Sequence, residues 1–264
     1  MYPFLNLFGL KIPCYGLSVV TAVIVVCFLS YMSIRRDKSI TEEDAPVEYL
    51  MVIVAACLVS FIIGAKLLYI LVSYELSDIF ESIAEGDFSF LVEAGLVFYG
   101  GLIFGLAGSL IAAKITKVDL LGLERHIVPY IPLGHAIGRV GCLLGGCCYG
   151  MEYSGFGAVY YENSLAGLPS DVGYFPVQPL ESVLDLCIMV LLLVYTKKER
   201  PKGNVLFGYL LMYAIMRFVT EFFRGDAYRG VYWGISTSQW ISIALAALFF
   251  LRVIFKKYVR KSTK

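Results

Sequence analysis

Long apolar stretches separated by short polar segments make up most of this chain. Seven of them approach or exceed the ~20 apolar residues that a helix needs to cross ~30 Å of hydrocarbon. They are residues 13–34, 47–73, 94–113, 127–144, 179–196, 205–222 and 239–255. Their length and the lack of apolar–polar alternation predict helices rather than strands. The fourth stretch is the weakest, because Pro129, Pro132 and several glycines interrupt it.

Composition supports a membrane protein. The chain has 264 residues, of which 59% are hydrophobic and 16% are charged, whereas soluble domains carry about 25% charged residues. The 22 basic and 21 acidic residues are nearly balanced, which argues against a nucleic-acid partner, since that would need a basic face. We predict an all-α polytopic membrane protein, with residues 1–264 forming a single domain in the lipid bilayer.

Basic residues predict the orientation of the spans. Clusters of Lys and Arg follow the first, third, fifth and seventh stretches, whereas residues 74–93 and 149–178 contain none. The positive-inside rule therefore places the N-terminus outside and the C-terminus inside. The external segment 149–178 is rich in Gly, Tyr and Pro, and we expect it to form a small external head. Only Lys11 precedes the first stretch and no small-x-small site follows it, so we expect it to be retained rather than cleaved.

An arginine interrupts the fourth stretch. Ionisable residues at membrane depth are costly and usually functional, and Arg139 is followed by a glycine-dense run in which the backbone could approach a ligand closely. Gly138, Gly141 and Gly150 are candidates for that approach. The guanidinium fork suits a phosphate better than an ammonium group does. The alternative is a purely structural pair between Arg139 and an acidic residue of another helix.

A second polar group lies in the sixth stretch. Tyr213, Arg217, Glu221 and Arg224 are spaced i, i+4, i+8 and i+11, which places them on one helical face. In lipid such a stripe must face protein or water, so it predicts a lined cavity. The alternative is a simple intrahelical pair between Arg217 and Glu221.

Two weaker motifs carry tyrosines. Tyr99-Gly100-Gly101 begins the third stretch, where the small residues could pack against another helix or the phenol could stand at a kinked entry. Tyr15 in the first stretch is either an interfacial aromatic residue or part of the site.

Cys142, Cys147 and Cys148 cluster at the outer end of the fourth stretch. Their spacing matches no zinc pattern, and no metal or soluble cofactor is expected. A disulfide and a thiol nucleophile activated by Arg139 remain alternatives. The other cysteines are expected to be small buried hydrophobes: Cys14, Cys27, Cys57 and Cys187.

The two histidines receive structural interpretations. His126 is expected in a loop on the inner side. His135 lies one helical turn before Arg139 and is the only histidine near the suspected site; a hydrogen-bonded core residue is the favoured interpretation.

The motifs resemble those of the phosphatidylglycerol–prolipoprotein diacylglyceryl transferase family, and the similarity runs in order from residue 2 to about 224. The matching elements are Tyr15-Gly16, Gly138-Arg139-x-Gly141, Gly145 to Gly150, and Tyr213-x3-Arg217-x3-Glu221-Phe-Phe-Arg224. Gln178-Pro-Leu-Glu181 is similar to the family's Gln-Leu-Tyr-Glu. The resemblance implies a multi-pass protein of the bacterial cytoplasmic (inner) membrane. The implied reaction moves the diacylglyceryl group of phosphatidylglycerol to the lipobox cysteine of a prolipoprotein and releases glycerol phosphate.

By this resemblance Arg139 and Arg217 correspond to the family's two essential arginines, which would hold the lipid phosphate. Glu221 would orient Arg217, while Tyr15 and Tyr213 would offer hydroxyl groups to the headgroup. The other expected substrate-binding residues are Gly100, Gly101, Gly138, Gly141, Cys142, Cys147, Gly150 and Arg224.

Three positions depart from the family pattern, and all concern acceptor activation or its surroundings. Tyr99 stands where the family has histidine, while Cys142 and Cys147 stand where it has asparagine and glutamate. The predicted base is Tyr99 or a group that the sequence does not identify. Two alternatives therefore stay open: a relative that uses the same donor with another acceptor, and a lipid transporter or scramblase without chemistry.

Overall fold

The computed structural model describes residues 2–7, 10–74, 82, 98–198, 202–225 and 231–262. These residues are mostly helical, with three short antiparallel strand pairs. The helices are α1 (Cys14–Arg36), α2 (Val47–Ser73), α3 (Phe98–Thr116), α4 (Glu124–Ile127), α5 (Ile131–Gly145), α6 (Val177–Tyr195), α7 (Asn204–Thr220) and α8 (Thr237–Ser262). The strand pairs are β1 (Phe4–Leu7) with β2 (Leu10–Pro13), β3 (Val159–Tyr160) with β4 (Gly173–Tyr174), and β5 (Val231–Tyr232) with β6 (Ile235–Ser236).

Six helical segments in the described part of the chain are long and apolar enough to cross a membrane. They are Cys14–Arg36, Val47–Leu71, Glu124–Gly145, Val177–Tyr195, Asn204–Phe223 and Thr237–Phe255. The prediction of a mostly helical polytopic membrane protein is therefore confirmed. The third predicted span, 94–113, begins outside the described residues, and α3 occupies the rest of it, with a shorter apolar helix over Ile103–Thr116.

The chain divides into two compact units. The unit Asp37–Gly122 contains α2 and α3, which approach each other through glycines. A Cβ added at Gly64 would meet the carbonyl oxygen of Gly100 at 2.5 Å, and one added at Gly101 would meet the Phe61 ring at 2.7 Å. Small residues at such positions allow two membrane helices to pack closely.

The other unit comprises Met1–Arg36 and Leu123–Lys264. Here α1 packs on α5, α5 on α6, α6 on α7, and α7 on α8. An apolar core lies mainly between α6 and α7; its buried residues are Val128, Ile188, Leu192, Val205, Tyr209 and Met216. This succession of helices places the inward faces of α5, α6 and α7 side by side.

The fourth predicted span, 127–144, begins at the end of a short helix and has a 3-10 turn before its main helix. The short helix α4 leads into a 3-10 turn over Val128–Tyr130 and then into α5, because proline lacks the N–H that a continuous helix needs. The expectation of a loop at His126 is wrong: His126 lies in α4, is buried, and its Nδ1 is 2.9 Å from the Ser33 hydroxyl. Glu124, also in α4, accepts the backbone N–H of Leu206 at 3.0 Å, which satisfies the first turn of α7.

Segment 149–178 packs onto the end of α5. Tyr161 and Gln178 are both fully buried and hydrogen-bond to each other. Gln178 Nε2 also donates to the Cys147 carbonyl at 2.9 Å, and the Ser164 hydroxyl donates to the Gly146 carbonyl at 2.6 Å. Burial raises the pKa of Tyr161 to about 12, so its hydroxyl stays protonated at neutral pH. These contacts fix the turn that follows α5.

Candidate active site

Three arginines converge on one buried carboxylate. Glu181, on the first turns of α6, has no exposed surface. Its Oε2 lies 2.9 Å from Arg139 Nε and 3.5 Å from Arg224 Nη1, and its Oε1 lies 2.6 Å from Arg217 Nη1. The Thr220 hydroxyl adds a fourth donor at 3.1 Å. Glu181 therefore holds together side chains from three separate segments of the chain.

Arg217 is held from a second side by the 3-10 turn after α7 and by the start of α8. Its Nη2 lies 2.5 Å from Glu221 Oε2 and 3.2 Å from the Ser238 hydroxyl. A reciprocal pair at the start of α8 fixes Ser238: Gln239 N–H donates to the Ser236 hydroxyl, and Ser236 N–H donates to Gln239 Oε1. This is the capping-box arrangement that stabilises helix N-termini, and it places Ser238 where the guanidinium needs a partner.

Arg224 reaches the site by backbone pairing rather than on a helix. The expectation that it shares one helical face with Arg217 is wrong, since α7 ends at Thr220 and a 3-10 turn follows over Glu221–Phe223. Arg224 instead forms a β-bridge with Gly150, flanked by the hydrogen bonds Met151 N to Phe223 O and Gly225 N to Tyr149 O. Backbone atoms of Phe175 occupy the space where a Gly150 side chain would lie. Glycine at 150 thus permits the close approach.

The cluster carries an excess of positive charge. Among the ion-paired side chains, Arg139, Arg217 and Arg224 supply three positive charges, against two negative charges from Glu181 and Glu221; the buried Asp185 is not in these ion pairs. Arg139 is the most accessible of the three, with 17% of its side chain exposed, compared with 8% for Arg217 and 3% for Arg224. The two predicted arginine motifs thus lie together in one site. A net positive charge in a poorly hydrated site favours an anionic ligand.

Open space lies beside Gly138, the residue before Arg139. A Cβ added at Gly138 would meet nothing within 4 Å, whereas one at Gly141 would contact Ser18 at 2.7 Å and the Tyr15 Cα at 3.3 Å. Gly138 therefore faces open space, and Gly141 lets α1 approach α5. This packing places Tyr15 close to the C-terminal end of α5.

The aromatic side chains around the arginines come from α5 and α7. Tyr213 is partly buried, and its ring centroid lies 5.1 Å from that of His135. His135 Nδ1 also lies 3.2 Å from the Tyr209 hydroxyl, so the prediction of a hydrogen-bonded core histidine is confirmed.

The Tyr99-Gly100-Gly101 motif lies in the unit Asp37–Gly122, at the start of α3. Both glycines are buried positions where α3 meets α2, which agrees with the helix-packing alternative. Their binding of substrate and the role of Tyr99 as base stay predictions.

The three clustered cysteines converge after α5. Their sulfur atoms all lie within 4.8 Å of one another, and none of the seven cysteines, which all belong to the described residues, forms a disulfide. Hydrogen bonds from the Cys142 and Cys147 thiols, together with the nearby charges of Arg224 and Arg139, lower the pKa of the Cys148 thiol. The expectation that Cys187 is buried is wrong, because it lies on the exposed face of α6.

Two acidic residues of α6 were not among the predicted site residues. Glu181 is the centre of the arginine cluster, and one turn further Asp185 is buried, with no hydrogen-bond partner for either carboxylate oxygen among the described residues. A pair of acids four residues apart inside an apolar span was the available signal, since such residues rarely occur in lipid without a partner.

Fold and site together define a multi-pass membrane protein with a buried, net positive arginine–carboxylate centre. The model of the family described as prolipoprotein diacylglyceryl transferase matches residues 3–255. The chain is 34% identical over 239 residues to phosphatidylglycerol–prolipoprotein diacylglyceryl transferase 2 of Clostridium perfringens, covering 90% of this chain and 88% of that protein. It is 31% identical over 258 residues to a phosphatidylglycerol–prolipoprotein diacylglyceryl transferase of Dehalococcoides mccartyi, covering 97% and 93%. The chain belongs to the prolipoprotein diacylglyceryl transferase family.

Proposed function

We propose that this protein transfers the diacylglyceryl group of phosphatidylglycerol to the cysteine thiol of a prolipoprotein lipobox and releases glycerol phosphate. The observation that carries the proposal is the convergence of Arg139, Arg217 and Arg224 on Glu181, with one positive charge in excess. The donor lipid has one phosphate, which this excess charge complements. Membership of a transferase family supplies the reaction type.

The reaction is a displacement at a glycerol carbon of the donor. The acceptor sulfur forms a bond to this carbon, and the carbon–oxygen bond to the phosphate breaks, with its electron pair passing to the phosphate oxygen. Negative charge therefore grows on the leaving glycerol phosphate. Arg139 is the most accessible guanidinium and would meet the phosphate first. Arg217, fixed by Glu181, Glu221 and Ser238, would hold the developing charge without having to reorganise.

The acceptor thiol must lose its proton before or during attack. Tyr99 stands at the position of the family histidine and is the proposed base. A free phenol has a pKa of ~10 and accepts a proton poorly near neutral pH, so a second means of ionising the thiol would be valuable. Tyr15 and Tyr213 are proposed to donate hydroxyl hydrogen bonds to the headgroup, while Gly138 leaves space beside Arg139.

The proposed topology has seven spans in the cytoplasmic membrane of a bacterium, with α3 belonging to the third. The N-terminus would lie outside and the C-terminus inside, because the basic clusters after α1, α3, α6 and along the end of α8 then share the cytoplasmic side. The external segment 149–178 would face the compartment in which secreted preproteins emerge. We also propose that residues 1–264 form a single domain in the bilayer.

Mass spectrometry of a reconstituted reaction tests the proposal. Purified protein in phosphatidylglycerol-containing nanodiscs is incubated with a synthetic lipobox peptide and with the same peptide carrying serine in place of cysteine. The expected result is a diacylglyceryl mass increase on the cysteine peptide only, with an equal amount of glycerol phosphate released. Consumption of phosphatidylglycerol without peptide modification would indicate another acceptor, and absence of both would overturn the proposal.

A matched pair of arginine variants ties the activity to the site. Arg139→Ala is expected to lower the transfer rate about 100-fold or more, the effect of removing a donor that stabilises developing charge. Arg252→Ala is the control: this side chain donates to the Gly203 and Lys202 carbonyls, away from Glu181. Equal loss of activity in both variants would argue for a general folding defect.

A further inference from the structure

Three cysteine side chains lie together near Arg139. The proposed reaction also needs a fourth thiol, that of the acceptor, to lose its proton. Cys142 is a buried residue near the end of α5. It lies three residues after Arg139, so the two side chains are neighbours on the helix surface. Cys147 and Cys148 follow the helix end, and the three sulfurs lie within 4.8 Å of one another. Sulfurs that bind one zinc ion at about 2.3 Å with tetrahedral angles lie about 3.8 Å apart. Small side-chain rotations would close the difference.

The backbone around the cysteines is held in an unusual conformation. Gly146 caps α5 with φ of 65°, and Cys148, a non-glycine residue, also has a positive φ of 55°. Such a conformation is strained for a residue with a side chain and persists only where the surroundings enforce it. It turns the chain back so that Cys148 rejoins Cys142 and Cys147.

Neighbouring segments hold this turn in place. Gln178 donates to the Cys147 carbonyl, and the Gly146 carbonyl accepts the Ser164 hydroxyl. The Leu165 N–H donates to the Gly145 carbonyl at 3.1 Å. The three sulfurs are therefore presented by a rigid support, which a binding site for a small ion requires.

Charge favours a cation bound by thiolates. Arg139 and Arg224 both act electrostatically on Cys148, and three thiolates with one divalent cation carry a single net negative charge. A single negative charge is favourable beside these two guanidinium groups. A disulfide would use two of the three sulfurs and leave the third without a role, and the adjacent Cys147 and Cys148 are poorly placed for one.

We infer that Cys142, Cys147 and Cys148 bind one thiophilic divalent cation of the zinc class, whose open fourth position takes the acceptor thiol as a thiolate. Three protein ligands with one open position are typical of reactive rather than structural zinc sites. A thiol that coordinates such an ion gives up its proton. The acceptor part of this inference rests on the proposed transferase function.

The step balances without another reactant. The three protein thiols release their protons to solvent as the cation binds, and the acceptor thiol releases its own as it takes the fourth position. Its sulfur then bonds to the glycerol carbon, and the electron pair of the breaking carbon–oxygen bond leaves with glycerol phosphate. The thioether product, a weaker ligand than a thiolate, vacates the fourth position.

A cadmium titration of the purified, reduced protein tests the site apart from any activity. The ultraviolet thiolate-to-cadmium band is expected to saturate at one equivalent per chain. It should be lost in Cys142→Ser, Cys147→Ser and Cys148→Ser but retained in Cys187→Ser, the matched control. In the unaltered protein, bound cadmium should protect these three cysteines from maleimide labelling, read by peptide mass spectrometry. Absence of one-equivalent uptake or of this protection in the unaltered protein would overturn the site, whatever the variants do.

The fourth position is tested with the lipobox peptide in lipid-free detergent, where no transfer takes place. The cysteine peptide should increase the cadmium band by about one third, from three thiolates to four, whereas the serine peptide should not. No increase with the cysteine peptide would overturn the acceptor part.

Transfer assays then separate this inference from the proposed function. The zinc-loaded protein should form the thioether at least tenfold faster than protein stripped by a chelator, with recovery on adding zinc. Equal rates in both forms would overturn the metal's role and leave the transferase function standing. No thioether from either form would contradict the transferase function and the acceptor role together, while cadmium uptake would still decide the metal site.

Discussion

Arg139 on α5 and Glu181 on α6 form an ion pair, with Nε and Oε2 2.9 Å apart, at a depth where Glu181 has no exposed surface. The pair unites the two alternatives for Arg139, because it is both a structural contact between helices and part of a cluster with spare positive charge. A carboxylate shared by three guanidinium groups neutralises only part of their charge. The remaining charge is available to an anion.

Removal of the shared carboxylate should be more damaging than removal of an exposed one. Glu181→Gln would remove the carboxylate that Arg139, Arg217 and Arg224 share, and breaking a buried ion pair by removing one partner costs about 3–5 kcal/mol. We expect a clear fall in the melting temperature and loss of transfer. Glu152→Gln, at an exposed position of segment 149–178, is the control and should change neither. An unchanged melting temperature in Glu181→Gln would contradict the central role of this carboxylate.

Lysine should not replace Arg217. Arg217 uses two separate nitrogens to contact Glu181 on one side and Glu221 with Ser238 on the other, and an ammonium group lacks this fixed fork. Arg217→Lys is expected to fold but to lose about 100-fold in transfer rate. Arg252→Lys provides the comparison on the same assay. Near-normal turnover in Arg217→Lys would show that charge alone is sufficient at this position.

Two glycines of the same motif should respond oppositely to alanine. Gly150→Ala would force a methyl group against the Phe175 backbone and weaken the bridge to Arg224, so we expect destabilisation of about 1–3 kcal/mol. Gly138→Ala would enter open space on a helix, where alanine is favoured over glycine by about 0.5–1 kcal/mol. It should fold normally yet raise the KM for phosphatidylglycerol if the donor occupies that space. Thermal melting and initial rates measure the two effects separately.

The Tyr161–Gln178 pair gives a prediction in alkaline solution. Burial raises the pKa of Tyr161 from 10.0 to about 12, so as pH rises the unfolded chain loses this proton before the folded protein does. The stabilising contribution is fully present below pH 10 and falls as pH rises from 10 to 12. Tyr161→Phe should lower the free energy of unfolding by about 1–3 kcal/mol through lost hydrogen bonding, and its melting temperature should lack this part of the pH dependence. Parallel pH profiles of the two proteins would contradict the assignment.

The local pattern of the sequence predicted much of the fold. Six of the apolar stretches predicted to cross a bilayer correspond to helices of the structure, with small differences at their ends. These helices are α1, α2, α5, α6, α7 and α8. The end of α8 extends beyond the predicted span, because helix propensity continues into the basic residues after the apolar run. The prolines before α5 correctly indicated an interruption but not the short helix that buries His126.

The site was predicted in part for the same reason. Arg139, Arg217, Glu221 and Arg224 stood out as charges in apolar surroundings, and they do converge. The central place of Glu181 depends on the packing of α6 between α5 and α7, which helical periodicity does not specify. The convergence of Cys142 with Cys148 depends on two residues with positive φ, a feature that cysteine spacing does not reveal.

The bridge between Gly150 and Arg224 has a consequence for recombination among relatives. Because backbone pairing positions Arg224, the external segment 149–178 and residues 221–225 share one structural framework although they are far apart in sequence. A chimera that takes only segment 149–178 from another family member would pair the native Arg224 with the backbone of a foreign segment. Exchanging both segments together would preserve that pairing, so the crossover points of such chimeras should be placed in pairs.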